Sequence, residues 1–210
     1  MYSHDKYICV TNRHLIRMGE DSGCAKERYL EQIKKCVRLR PAALILREKD
    51  LDESSYCELA KQVNRICEDG RVKMFIHGEF VGHNMDIMQY TGCHNIHMSL
   101  KQFMNESGRK DNYIAKADCI SVSCHSVSEA QYAAENGASQ IIVGTIFETE
   151  CKPGKKGDGL EYLSEAADRV HSVDRDIKVY AIGGIKPDNI QQALEAGADG
   201  GCMMSWFMTH

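Results

Sequence analysis

Short apolar runs rich in β-branched residues recur along the chain, each followed by a stretch whose apolar positions repeat every three to four residues. The first kind reads as buried strand and the second as amphipathic helix. Strands are predicted near residues 7–11, 43–48, 73–77, 95–98, 119–123, 140–146, 178–183 and 200–205. Among the helices, Ala130, Ala133, Ala134 and Gly137 fall on one face, with Ser126 and Glu129 spaced as a capping box before them. Ile190, Ala193, Leu194 and Gly197 repeat that spacing, with Pro187 suited to a first turn. Both end in Gly-Ala, and the two segments lie about 60 positions apart, as in a repeated βα unit. Alternating strands and helices with short connections predict an α/β chain, a (β/α)8 TIM barrel forming a single domain over residues 1–210.

One position strains that pattern. The sequence reaches His210 a few residues after the last strand, so the final outer helix is expected to be short or missing. Trp206, Phe207 and Met208 would then lie on an exposed flank, to be covered by the amino-terminal arm or by a partner in a possible homodimer.

Composition narrows the function classes. Apolar residues make up 43% and charged residues 27%, with a formal net charge of -4, which gives no general attraction to nucleic acid or to an anionic membrane. No apolar run approaches a membrane span, and residues 1–7 lack the apolar stretch of a secretory signal, so a cytoplasmic protein is expected. The ten cysteines include no C-x-x-C pair, and most occupy apolar positions, where reduced buried thiols are expected.

In a TIM barrel the chemistry sits at the carboxyl ends of the strands. On the fifth strand, alternation sends Ile120, Val122 and Cys124 toward the helices and Ser121, Ser123 and His125 to the other face, which places His125 over the barrel mouth. On the second strand Ile45, Arg47 and Lys49 share a side. Two cations there call for an anionic ligand or a carboxylate, Glu48 being the obvious structural partner for one of them. The seventh strand ends in Gly183 and Gly184 and the eighth in Met204 and Ser205; Gly183, Gly184 and Ser205 read as a phosphate cradle, with Met204 a further candidate contact to substrate. Thr149 and Lys152, in the polar loop after the sixth strand, could reach an anion. His77 and His97 end the third and fourth strands as candidate polar contacts to substrate. With only Glu79 near them, the case for a metal is poor.

Arg47-Glu-Lys49, Ser121-Val-Ser-Cys-His-Ser, Val143-Gly-Thr-Ile-Phe-Glu-Thr-Glu-Cys-Lys, Ala181-Ile-Gly-Gly-Ile and Ala196-Gly-Ala-Asp-Gly, taken in order, resemble the thiamin-phosphate synthase/TenI superfamily. The resemblance implies a small phosphorylated thiazole as substrate. The synthase branch holds magnesium with two aspartates, in an Asn-Asp motif where this chain has His77-Gly78 and in a motif after strand four where it has His97 to Gln102. Both aspartates are absent, and Ile45 replaces a glutamine that faces the pyrimidine.

The TenI branch lacks those aspartates too. Its activity is thiazole tautomerase, with a histidine after strand five that matches His125, and Phe147-Glu-Thr-Glu-Cys-Lys is closer to its form. The resemblance therefore implies a cofactor-free isomerase in which one imidazole takes a proton from a ring carbon and returns it to an exocyclic carbon, chemistry suited to its unperturbed pKa of about 6.5. Ser123, Arg47 and Lys49 would meet the ring carboxylate or mark former diphosphate contacts. Two alternatives stay open: a thiamin-phosphate synthase with an altered magnesium site, and a non-catalytic regulator that binds thiazole or thiamin phosphate.

Overall fold

The computed structural model describes residues 4–16, 25–82, 86–107, 113–149, 154 and 156–210. Eight parallel strands follow one another in chain order around a closed barrel. They are β1 (Tyr7–Val10), β2 (Ala43–Leu46), β3 (Lys73–His77), β4 (Asn95–Ser99), β5 (Cys119–Cys124), β6 (Gln140–Gly144), β7 (Lys178–Ile182) and β8 (Gly200–Met203). Every predicted strand is present, shifted by at most a few residues at its ends. The helices are α1 (Ala25–Arg38), α2 (Glu53–Gly70), α3 (Ile87–Thr91), α4 (Leu100–Ser107), α5 (Val127–Glu135), α6 (Gly159–Val173), α7 (Ile190–Glu195) and α8 (Ser205–Thr209). By packing, the chain divides into two compact units, residues 1–94 with 204–210, and residues 95–203.

In the first unit β1 pairs with β2 and β2 with β3, with Cys9 opposite Leu44 and Ile45 opposite Phe75. All four residues of β1 and of β2 are buried, as expected of parallel strands covered on both faces. Helix α1 buries Tyr29, Ile33, Cys36 and Val37, and α2 buries Tyr56, Ala60, Val63 and Cys67, each set spaced for one helical face. Asp52 caps α2 by accepting the Ser55 N–H at 2.9 Å.

The flank at the chain end differs from expectation. Helix α8 is short, yet Phe207 and Met208 are only 1% and 2% exposed. Gln32 Nε2 of α1 donates to the Phe207 carbonyl at 2.6 Å, and the Cys36 thiol donates to the same oxygen at 3.2 Å. Trp206, half-buried, lies against the rings of Phe207 and His210. Burying two such side chains contributes about 1.5–3 kcal/mol each, so five residues of helix suffice to hide them. Phe207 and Met208 thus supply no argument for a covering subunit.

In the second unit β4 to β8 pair in sequence, with His97 opposite Ser121, Cys124 opposite Val143 and Gly144 opposite Ile182. Ser126 caps α5 by accepting the Glu129 N–H at 3.1 Å. The Glu129 carboxylate reaches back to the His125 N–H at 2.6 Å, one residue earlier than a capping box has it. Ala130, Ala133 and Ala134 are buried as expected. Helix α7 begins only at Ile190, so Pro187 lies in the turn before it, where the Asn189 side chain accepts the Lys186 N–H at 2.8 Å. The eight described cysteines are all free, and only Cys119 is not fully buried. Among the described residues no helix is long and apolar enough to cross a membrane.

Candidate functional site

The carboxyl ends of β1, β2 and β3 in the first unit are organised around a buried carboxylate. Glu48 is 1% exposed and accepts three hydrogen bonds: from the Thr11 hydroxyl at 2.7 Å, the Tyr29 hydroxyl at 3.0 Å and the Arg13 N–H at 3.0 Å. The Arg13 guanidinium lies 3.5 Å from it and grips Asp50 with two bonds of 2.6 Å. His14 Nε2 is 2.7 Å from the same Asp50 carboxylate. Hydrogen bonds from His14 first and Arg13 second hold the Asp50 carboxyl down at about 2. Burial first, then the charge of Glu48, pushes the Tyr29 hydroxyl well above its ordinary range, so it stays a neutral donor.

This corrects the expectation that Glu48 neutralises Arg47 or Lys49. Strand parity turns Glu48 inward to the hydroxyls of β1 and α1, and its cation is Arg13, a residue sequence reading passed over. Thr11 is the link, since its oxygen accepts the Arg47 N–H at 2.9 Å while its proton goes to Glu48. Lys49 instead meets Glu79 at 3.2 Å, both side chains being 42% exposed. The Arg47 side chain has no carboxylate partner among the described residues and remains available to an anion.

His77 ends β3 and is 4% exposed. Its backbone N–H donates to the Tyr56 hydroxyl at 2.9 Å, which donates onward to the Leu46 carbonyl at 2.7 Å. The Glu79 N–H donates to His77 Nδ1 at 3.3 Å, so that nitrogen is an acceptor and Nε2 carries the proton. Burial first, then the charges of Lys49 and Arg47, push the imidazole down to about 3. The Glu79 carboxylate, 3.7 Å from Nδ1, therefore faces a neutral ring. At neutral pH His77 can donate a hydrogen bond but cannot take up a proton.

In the second unit His97 is buried and engaged at both ring nitrogens, by the Ser121 hydroxyl at 2.9 Å on Nδ1 and the Ser123 hydroxyl at 3.1 Å on Nε2. Gln140 Nε2, not anticipated from the sequence, donates to the Ser121 oxygen at 2.9 Å. The Ser121–Ser123 face of β5 thus points as alternation predicted, but its main partner is a histidine of β4. Satisfied on both sides, His97 is a structural polar core within its half of the strands.

His125 follows β5 and is exposed. Its Nδ1 lies 2.6 Å from the Gly144 carbonyl, and a carbonyl can only accept, so Nδ1 carries the proton. The ring then presents Nε2 with its lone pair free. Anchored by Glu129 at its backbone and Gly144 at its ring, His125 combines a fixed orientation with an accessible base, the geometry that proton transfer needs.

Gly183 and Gly184 follow β7 with φ of 97° and 64°, both left-handed. A Cβ at Gly184 would stand 2.6 Å from the Glu148 carbonyl and 2.7 Å from Phe147 Cβ, and one at Gly183 would collide with Thr145. Glycine is required here partly by the close approach of the chain after β6, whose Phe147 N–H donates to the Gly183 carbonyl at 3.0 Å. Asn189 Nδ2 fixes the Gly184 carbonyl at 2.8 Å. Among the described residues nothing accepts the N–H groups of Gly184 and Ile185, so the turn offers two adjacent amides as donors. Thr145 is held by Asp158, which accepts its N–H at 3.2 Å and donates its own to the Thr145 carbonyl at 2.8 Å.

Thr149 is half-buried beyond this segment, and Lys152 lies outside the described residues. Ser205 opens α8 in the first unit with an exposed side chain, and Met204 Sδ accepts Asn12 Nδ2 at 3.6 Å.

Among the described residues the ends of β3 and β4 offer magnesium a poor set of ligands. Among the described residues no three His, Cys, Asp or Glu side chains converge on a metal position. Where the synthase pattern has aspartates, Glu79 is paired with Lys49 and Gln102 is spent on the start of α4, accepting from the Ser99 N–H and hydroxyl at 3.1 and 3.0 Å. Magnesium demands oxygen ligands in a near-octahedral set, which these groups do not supply.

The architecture is a closed barrel of eight parallel strands with surrounding helices. The family model described as thiamine monophosphate synthase, TMP-TENI, matches residues 13–207, and the chain belongs to that family. Among curated relatives, a putative thiamine-phosphate synthase 2 of Aquifex aeolicus is 29% identical over 184 residues, covering 87% of this chain and 91% of the relative. The thiamine-phosphate synthase of Clostridium acetobutylicum is 27% identical over 205 residues, covering 97% and 87%. Among solved structures, thiamine phosphate pyrophosphorylase from Pyrococcus furiosus superposes with a TM-score of 0.70 at 20% identity, covering 97% of this chain and 87% of that one. Dihydrodipicolinate synthase from Thermotoga maritima reaches 0.65 at 12% identity with 98% and 72% coverage, and it too is a likeness of fold.

Proposed function

We propose that this protein is a thiamin-biosynthetic enzyme that binds a carboxylated thiazole phosphate and isomerises it without a metal, His125 carrying the proton. The observation that carries this reading is the 2.6 Å contact of His125 Nδ1 with the Gly144 carbonyl, which leaves Nε2 as an oriented base. Nε2 takes the proton from the ring carbon, the electron pair moves through the ring to the exocyclic double bond, and the imidazolium returns a proton to the exocyclic carbon. The ring becomes aromatic and the histidine is regenerated. The Gly184 and Ile185 amides, in the same unit as His125, hold the phosphate. Localisation in the cytoplasm accords with such a pathway.

A second reading, thiamin-phosphate synthase, is favoured by the activity for which the relatives are named. That reaction expels diphosphate from a pyrimidine, and the donor set at the ends of β3 and β4 leaves magnesium without its oxygens. The two readings are separated by supplying the thiazole tautomer alone and then both synthase substrates with Mg²⁺. Aromatic thiazole phosphate from the first and no thiamin phosphate from the second is expected. Robust thiamin phosphate formation would overturn the isomerase.

A further inference from the structure

The carboxyl ends of α1 and α2 meet at a half-open surface depression of about 470 Å³, lined by Val37, Arg38, Arg40, Asp69, Gly70 and Arg71, whose four charged side chains are exposed. It belongs to the first unit and lies where β2 and β3 begin, at the opposite end of those strands from Arg47 and His77. Gly70 fixes the approach of the two helices, since a Cβ there would overlap Val37 Cγ1. Its size is within the range of small-ligand sites.

Three arginines face one aspartate around this depression, and none of Arg38, Arg40, Arg71 or Asp69 forms an ion pair among the described residues. A cation near a helix carboxyl end is favoured by the free carbonyls, which accounts for Arg38. It does not account for the backbone of the other two. Arg40 and Arg71, with φ of 51° and 56°, are the two left-handed non-glycine residues of the described chain, and both line this depression.

Arg71 closes α2 with its N–H on the Glu68 carbonyl at 3.0 Å and the Val72 N–H on Cys67 at 2.8 Å, an ending in which glycine is the usual occupant. Arg40 precedes Pro41, whose ring further crowds a helical conformation. Two arginines thus stand where the backbone favours glycine, both at this depression.

We infer that this depression is a second anion site, one that takes a small oligophosphate. Guanidinium forks match phosphate oxygens in pairs. Three of them from two helix ends, offset by a single aspartate, suit two or more negative charges spread over neighbouring phosphates better than one compact ion. The inference does not depend on which reaction the strand-end residues perform.

The test is a titration of the isotopically labelled full chain with inorganic diphosphate, followed by amide chemical shifts. The amides of residues 37–40 and 69–72 are expected to shift together, and at lower concentration than with orthophosphate. Arg47→Gln/Lys49→Gln keeps that response. Arg40→Gly/Arg71→Gly, which relieves the left-handed strain, keeps or raises Tm and weakens diphosphate at those amides at least tenfold. Unshifted amides at millimolar diphosphate, equal response to orthophosphate, or undiminished affinity in the folded glycine variant would each overturn the inference.

Discussion

A histidine ends β3 and another follows β5 directly, and the structure gives the two opposite properties. His77 is enclosed beneath Arg47 and Lys49 and held neutral far into acid, its Nδ1 accepting from a backbone amide. His125 is exposed, with Nδ1 donating to a carbonyl and Nε2 open. The lesson is that a histidine's chemistry is set by which nitrogen is tied and by what surrounds it. One ring is a fixed donor and the other can cycle a proton.

The comparison breaks most directly at His125. Replacing it with alanine is expected to lower thiazole isomerisation by about 10²–10⁴-fold, the usual range for a positioned acid–base group, with an unchanged Tm. His77→Gln, keeping a neutral polar group, is expected to stay within about tenfold of wild type. Equal losses in both would erase the distinction.

Next in size is the framework behind the cations. Glu48→Ala leaves the Thr11 and Tyr29 hydroxyls and the Arg13 amide without their acceptor. A loss of about 2–4 kcal/mol in urea unfolding is expected, against a change near zero for Lys49→Ala, whose pair with Glu79 is half-exposed.

The pH dependence of stability sharpens the account of His77. The unfolded chain takes up a proton there near pH 6.5 and the folded chain only near 3. The stabilisation is therefore complete above pH 6.5 and declines at about 1.4 kcal/mol per pH unit as pH falls between those values. Wild type should lose about 2 kcal/mol more than His77→Gln between pH 6.5 and 5, and parallel stability curves would show that His77 titrates normally.

The smallest effect is expected at Gly184. Alanine there meets the Glu148 carbonyl and Phe147 from a left-handed backbone. About 1 kcal/mol of stability and about a tenfold loss of phosphate affinity should follow, read by thermal unfolding and by titration with orthophosphate.

The strands were legible because parallel strands buried on both faces are written as continuous apolar runs, and Ile120, Val122 and Cys124 against Ser121 and Ser123 followed simple alternation. His125 and the glycine pair were legible from their place at strand ends. What stayed hidden depends on distance rather than spacing. Nothing local in the sequence joins Glu48 to Tyr29 of α1, or Gln140 to Ser121. The flank at Phe207 was misread because a five-residue helix carries too little periodicity to be seen, although α1 holds it through Gln32 and Cys36 on the Phe207 carbonyl.

The central claim is a metal-free proton transfer through His125, and it is tested most directly by supplying the carboxythiazole phosphate tautomer in deuterated water with an excess of chelator. The account predicts aromatic product at the rate seen without chelator, carrying solvent deuterium at the exocyclic carbon, and a loss of that turnover in His125→Ala. Isomerisation abolished by chelator, or proceeding equally well in His125→Ala, would contradict it.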